Sequence, residues 1–172
     1  MVDKTYLLDT SAFITPYRFY YAFDLVPSYW RELLKVAECG KIIFLDLVKR
    51  EIEQGEDSLR DWMGENGSKF TVCNHVTDEI VGKYQEVIRY IQSCGYYSQK
   101  ALHAWSQGNI ADPWLIATAA VKHYIIITAE VSAGTLSIKT PSKNAKIPDV
   151  ARAFGVETNS LFGMMREIGI HI

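Results

Sequence analysis

The run Tyr6-Leu7-Leu8 is followed at once by Asp9, Thr10 and Ser11, and this abrupt change from apolar to acidic constrains the fold more than any other stretch. The run is too short for a buried helix. It lies near the start of a chain in which short apolar stretches alternate with helical patterns, so it reads as a strand of a parallel sheet buried on both faces. Open α/β sheets place their ligands beyond the carboxyl ends of such strands. Asp9 is therefore an acid delivered to the ligand-binding edge, and the question is which other acids join it.

The pattern continues along the chain. Strand 5–9 precedes an aromatic-rich loop from Thr15 to Asp24 and a helix from Ser28, its N-cap, to Cys39, with Gly40 at its stop. Lys41 to Leu45 is a second strand, followed by a helix over 46–63 and a short strand from Phe70 to Cys73. Thr77 caps a helix that runs to Cys94 and ends at Gly95, and another helix covers Ser98 to Ser106. Asp112-Pro113 opens a helix through Lys122, because proline is well tolerated in a first turn. Tyr124 to Thr128, with three consecutive isoleucines, is the fourth strand. Val131 to Lys146 is a polar loop with a short hairpin at Leu136–Lys139; Pro148 begins a helix that stops at Gly155. An edge strand near Val156 and a helix from Ser160 to Ile168 complete the chain. Strands alternating with helices predict an α/β fold with right-handed crossovers and a parallel sheet covered on both faces.

With no repeat, low-complexity segment or linker, residues 1–172 read as a single domain of a size that can build a real core. No apolar run approaches the roughly 20 residues that span a bilayer, and no secretory signal is visible at the N-terminus. The three cysteines, Cys39, Cys73 and Cys94, are widely spaced without a C-x-x-C pairing and read as buried, reduced thiols. Together these features predict a cytoplasmic protein with no membrane association. The net charge of −2 argues against wrapping nucleic acid by bulk electrostatics. It leaves room for an enzyme that holds nucleic acid through metal ions and a local basic patch.

Four acids stand out by context. Asp9 ends the first strand, Glu51 borders the apolar stripe of the helix after the second, Asp112 sits where a loop enters a helix, and Glu130 follows the fourth strand. In a parallel sheet, strand ends and the first turns of the following helices share one edge, where all four carboxylates could meet. Hard oxygen ligands without a His or Cys cluster suit Mg²⁺ or Mn²⁺ rather than zinc. Each acid also has a plain structural reading: Asp9 as a turn cap, Glu51 as a solvated residue among Lys49, Arg50, Glu53 and Glu56, Asp112 as the N-cap before Pro113, and Glu130 as a loop residue.

The segments Tyr6–Ser11, Val48–Ile52, Ala111–Ala119 and Ile126–Glu130 together resemble the PIN-domain family. The closest look is to its PIN-like, VapC-type toxins of bacterial and archaeal toxin–antitoxin pairs. The resemblance covers nearly the whole chain. It implies a three-layer α/β/α fold, endoribonuclease activity, an acid cluster binding Mg²⁺ or Mn²⁺, an RNA substrate and an antitoxin partner. Residue by residue, Asp9, Glu51 and Asp112 match the metal-binding acids, and Thr10 or Ser11 matches the hydroxyl beside the first. Glu130 matches the fourth position, where most of the family has Asp; the extra methylene leaves open whether it meets metal directly, through water or not at all. Lys146-Ile147-Pro148-Asp149-Val150 also looks like a feature of one PIN-like branch, with no chemistry assigned.

Lys139, Lys143 and Lys146 follow Glu130 and read either as a phosphate-guiding RNA contact or as a solvated loop. Tyr17, Arg18, Phe19, Tyr20, Tyr21 and Phe23 read as helix packing combined with an interface for a partner or for a second copy in a homodimer, with base stacking as the alternative. The histidines His75, His103, His123 and His171 are scattered, and no Gly-rich phosphate loop is present. Two other functions compete with the nuclease. One is a non-catalytic PIN-like module that binds RNA or protein. The other is a phosphatase or phosphotransferase using Asp9 as nucleophile, for which the second Asp two residues on is lacking.

Overall fold

The computed structural model describes residues 4–172, so the first three residues of the predicted domain lie outside it. Among the described residues five strands form one parallel sheet: β1 (Tyr6–Leu8), β2 (Ile42–Leu45), β3 (Thr71–Cys73), β4 (Ile125–Ile127) and β5 (Thr158–Asn159). Their order is β3-β2-β1-β4-β5, with Leu8 level with Phe44 on one side and Ile127 on the other. The three inner strands are buried throughout, which is why they read as continuous apolar runs rather than alternating ones.

Helices flank the sheet. After β1 come α1 (Ser11–Thr15) and α2 (Pro27–Glu38); after β2, α3 (Asp46–Glu53) and α4 (Ser58–Asn66). Then follow α5 (Asp78–Ser93), α6 (Gln99–Trp105), α7 (Ala111–Lys122), α8 (Ile147–Ala153) and α9 (Leu161–Ile168). α5 packs along α7, where Tyr84 stacks on Trp114 with ring centroids 3.8 Å apart. Gly40 and Gly95 both take positive φ just past the ends of α2 and α5, as their positions predict. Among the described residues no helix is long and apolar enough to cross a membrane.

Several local expectations are corrected. The predicted loop from Thr15 continues α1 into a π-turn over Pro16–Tyr20, with the Tyr21 N–H donating to the Pro16 carbonyl at 2.7 Å. Pro16 has no N–H with which to extend the i→i−4 ladder, and the backbone widens there. The predicted helix over 46–63 is two helices. Gly55 interrupts it, and the Asp57 side chain restarts it by accepting the Arg60 N–H. No hairpin forms at Leu136–Lys139. The segment instead docks at Ser142, whose N–H and carbonyl pair with Tyr96 and Ser98 at 2.8 Å each. The edge strand lies at Thr158–Asn159, two residues beyond Val156. The cysteines are free, but Cys39 is exposed and Cys73 and Cys94 are only half-buried.

His123 ends α7 in the left-handed conformation, with φ 58° and ψ 42°. A side chain there costs about 1 kcal/mol relative to glycine. His123→Gly is expected to stabilise the protein by about that amount, read as a shifted midpoint in urea unfolding. An unchanged or lowered midpoint would show that the imidazole makes a compensating contact.

Candidate functional site

The chain builds outward from β1 through β2 to β3, then returns to the other side of β1 for β4 and β5. The strand order therefore reverses between β1 and β4, and the carboxyl ends of these two strands frame the crevice where such sheets bind ligands. Asp9 leaves the first of them; Thr128 and Glu130 follow the second.

Asp9 is 6% exposed. Its N–H donates to the Ile127 carbonyl at 2.9 Å, which locks the residue to the neighbouring strand. Its Oδ2 accepts from the Ser11 hydroxyl and, at 2.8 Å, from the Thr128 hydroxyl. Ser11 Oγ in turn accepts the Ala129 N–H at 2.9 Å, and Thr128 Oγ1 accepts the Glu130 N–H at 3.0 Å. Burial pushes the Asp9 carboxyl above its ordinary range, the two hydroxyls oppose the shift, and Glu130 adds to it.

Thr10 occupies the N-cap of α1, yet its hydroxyl makes no cap and donates to Glu51 Oε2 instead. A side chain type that ordinarily satisfies its own helix here ties β1 to α3. Asp112 lies within the first turn of α7, one residue inside the helix rather than at its cap. Pro113 is harmless there, because first-turn N–H groups have no intrahelical partner. Among the described residues no hydrogen bond reaches the Asp112 carboxyl. Burial, followed by the Asp9, Glu130 and Glu51 carboxylates, pushes it up to about 7, with the Lys146 ammonium acting against them. The carboxylates that follow β1 and β4 and the one on α3 thus all act on the Asp112 carboxyl of α7.

Glu130 is held at both oxygens: Lys146 Nζ donates to Oε1 and the Ile147 N–H to Oε2, each at 2.8 Å. Glu130 raises the Lys146 ammonium in return. Lys139 and Lys143 stay exposed, with no ion pair among the described residues. Of the early aromatic cluster, Tyr17, Tyr21 and Phe23 pack against the core, whereas Arg18, Phe19 and Tyr20 are exposed.

Thr128 was not singled out in the sequence, although it is 3% exposed and joins the first and fourth acids. Its signal is a hydroxyl directly after an all-isoleucine strand, which mirrors Asp9 after β1. His75 is buried too, with its Nδ1 2.7 Å from Asp46 Oδ1 and its ring edge-on to Trp114, so its observed partners are none of the four acids.

In chemistry and charge this donor set fits a hard divalent cation: four carboxylates flanked by three hydroxyls, with one carboxyl held near protonation first by burial and then by its acidic neighbours. As the side chains lie, no three His, Cys, Asp or Glu residues among the described residues form a group ready to hold an ion.

The chain has the PIN-like α/β fold, with its acids at the switch point of the sheet. Over 92% of its length it is similar to a chain of the DNA-bound VapBC structure from Salmonella typhimurium, at 12% identity and a TM-score of 0.56, covering 98% of that chain. It is similar over 91% of its length to a chain of VapBC2 from Rickettsia felis bound to a promoter DNA fragment, at 11% identity and a TM-score of 0.56, again covering 98% of that chain. At such identities the likeness is one of fold. By sequence the chain belongs to the family described as a domain of unknown function (DUF4411), whose model matches residues 6–172. No curated protein matches it.

Proposed function

We propose that the protein is a metal-dependent endoribonuclease, acting in the cytoplasm as the toxin half of a toxin–antitoxin pair. The observation that carries this reading is the convergence of acids at the switch point of a PIN-like sheet, where the Asp9, Glu130 and Glu51 carboxylates all raise the buried Asp112 carboxyl. Asp9, Glu51 and Asp112 would hold Mg²⁺ or Mn²⁺, with Glu130 as the fourth acid. The ion would supply Lewis-acid polarisation of the scissile phosphate and a lowered pKa for the attacking water. The chain's own residues do the positioning. Ser11 and Thr128 fix the Asp9 carboxylate from its Oδ2 side, and Thr10 fixes Glu51. Lys146, Lys139 and Lys143 would meet the RNA backbone. An antitoxin or a second copy would cover the exposed rings of Phe19 and Tyr20, which are 74% and 54% exposed.

The test is Mn²⁺-dependent cleavage of single-stranded RNA by purified protein. Asp9→Asn and Asp112→Asn are each expected to abolish it while circular dichroism stays unchanged. Full activity in both variants would refute the site. The absence of turnover with Mn²⁺ in the parent would favour a non-catalytic module, a reading to which the occupied oxygens of Glu130 lend support.

A further inference from the structure

The segment Lys146-Ile147-Pro148-Asp149 has a geometric role. Lys146 is the N-cap of α8, and it and the next residue supply the two donors that hold Glu130. Asp149, 7% exposed, accepts from Ser132 Oγ and, at 2.8 Å, from the Ala133 N–H. The loop leaving β4 is therefore stapled to α8 at Glu130 and again at Asp149. Backbone donors at Ile147 and Ala133 thus hold the segments that carry the Glu130–Lys146 ion pair.

That placement determines what Glu130 can do. Both of its oxygens already accept, one from a full positive charge, and an incoming ion would have to compete with that charge at Oε1. With Glu130 neutralised, three carboxylates remain for a divalent ion. A second ion at Glu130 would meet a resident like charge.

We propose that the Lys146 ammonium stands at Glu130 in the place of a second divalent cation. The centre then takes one ion, on Asp9, Glu51 and Asp112, and Glu130 is not a metal ligand but the anchor of a fixed cation. This rests on the metal-dependent reading above. The test is Mn²⁺ binding to the full chain, with stoichiometry by titration calorimetry and ion pairing by electron paramagnetic resonance.

The parent is expected to bind one Mn²⁺. Glu130→Gln should keep that stoichiometry, and Lys146→Arg, which preserves the charge, should also bind one. Lys146→Met, which frees the Glu130 carboxylate, should bind two, with a spin-coupled spectrum. Two ions in the parent, loss of the ion in folded Glu130→Gln, or a single ion in folded Lys146→Met would overturn the proposal and leave the nuclease reading standing. No Mn²⁺ binding by the parent would instead remove that reading, and the proposal with it. Should Lys146→Met fail to fold, the parent, Glu130→Gln and Lys146→Arg decide the matter.

Discussion

Asp112→Asn is expected to yield a protein more stable than its parent at alkaline pH and unable to cleave RNA. The Asp112 carboxyl is raised from its ordinary 3.8 to about 7, first by burial and then by Asp9, Glu130 and Glu51. Folding therefore tightens its proton by roughly 4 kcal/mol. Between about pH 4 and about pH 7 the folded protein holds a proton that the unfolded chain has released. Stability therefore falls as the pH rises through that window and levels off above it. The amide carries no charge to desolvate or repel, so the variant should match the parent near pH 4 and exceed it near pH 8 by up to about 4 kcal/mol.

Urea unfolding in the presence of a chelator at the two pH values measures this. A divalent ion must be excluded because it would relieve the same repulsion. A parent equally stable at both pH values, or a variant no more stable near pH 8, would contradict the account. The loss of cleavage should exceed the roughly 10–100-fold typical of removing an outer-shell partner. Stability gained on removal of a charged group, together with lost activity, would mark a site whose charges are kept for ligand binding.

Phe13→Ala should produce the largest loss of stability. Phe13 is fully buried in α1, edge-on to Phe44 at 5.7 Å and to Phe70 at 5.8 Å. These contacts press the short helix that carries Ser11 onto β2 and the entry to β3. Deleting a buried ring of this kind costs about 3–5 kcal/mol, a large part of the roughly 5–15 kcal/mol that holds a domain together. Phe13→Leu, which fills most of the volume, should lose clearly less. Denaturant midpoints compare the three proteins, and a loss below about 1 kcal/mol in Phe13→Ala would show that α1 is not anchored through this ring. A weakened α1 should also release Ser11 from Asp9, so residual activity in Phe13→Ala is expected to fall even where the protein remains folded.

The strands were legible because burial on both faces writes itself directly into composition. Tyr6–Leu8, Ile42–Leu45 and Ile125–Ile127 are apolar without interruption, and each was located to within a residue or two. Helix ends were legible where a local rule decides them, as at Gly40, Gly95 and Thr77. The break at Gly55 was missed because an apolar stripe persists on both sides of it. The π-turn at Pro16 was missed because the same proline is compatible with a loop.

By itself, then, the sequence determined the parallel α/β class and the acids that belong to its carboxyl edge, since both follow from chain-local periodicity and from position at strand ends. Only the tertiary structure decided how those acids are held. Thr128 reaches Asp9 from another strand, Thr10 leaves its own helix for Glu51, and Lys146 closes on Glu130 from sixteen residues away. Such pairings depend on which strand lies beside which and on where a loop is stapled, and side chains far apart in sequence meet only once the sheet order β3-β2-β1-β4-β5 is set.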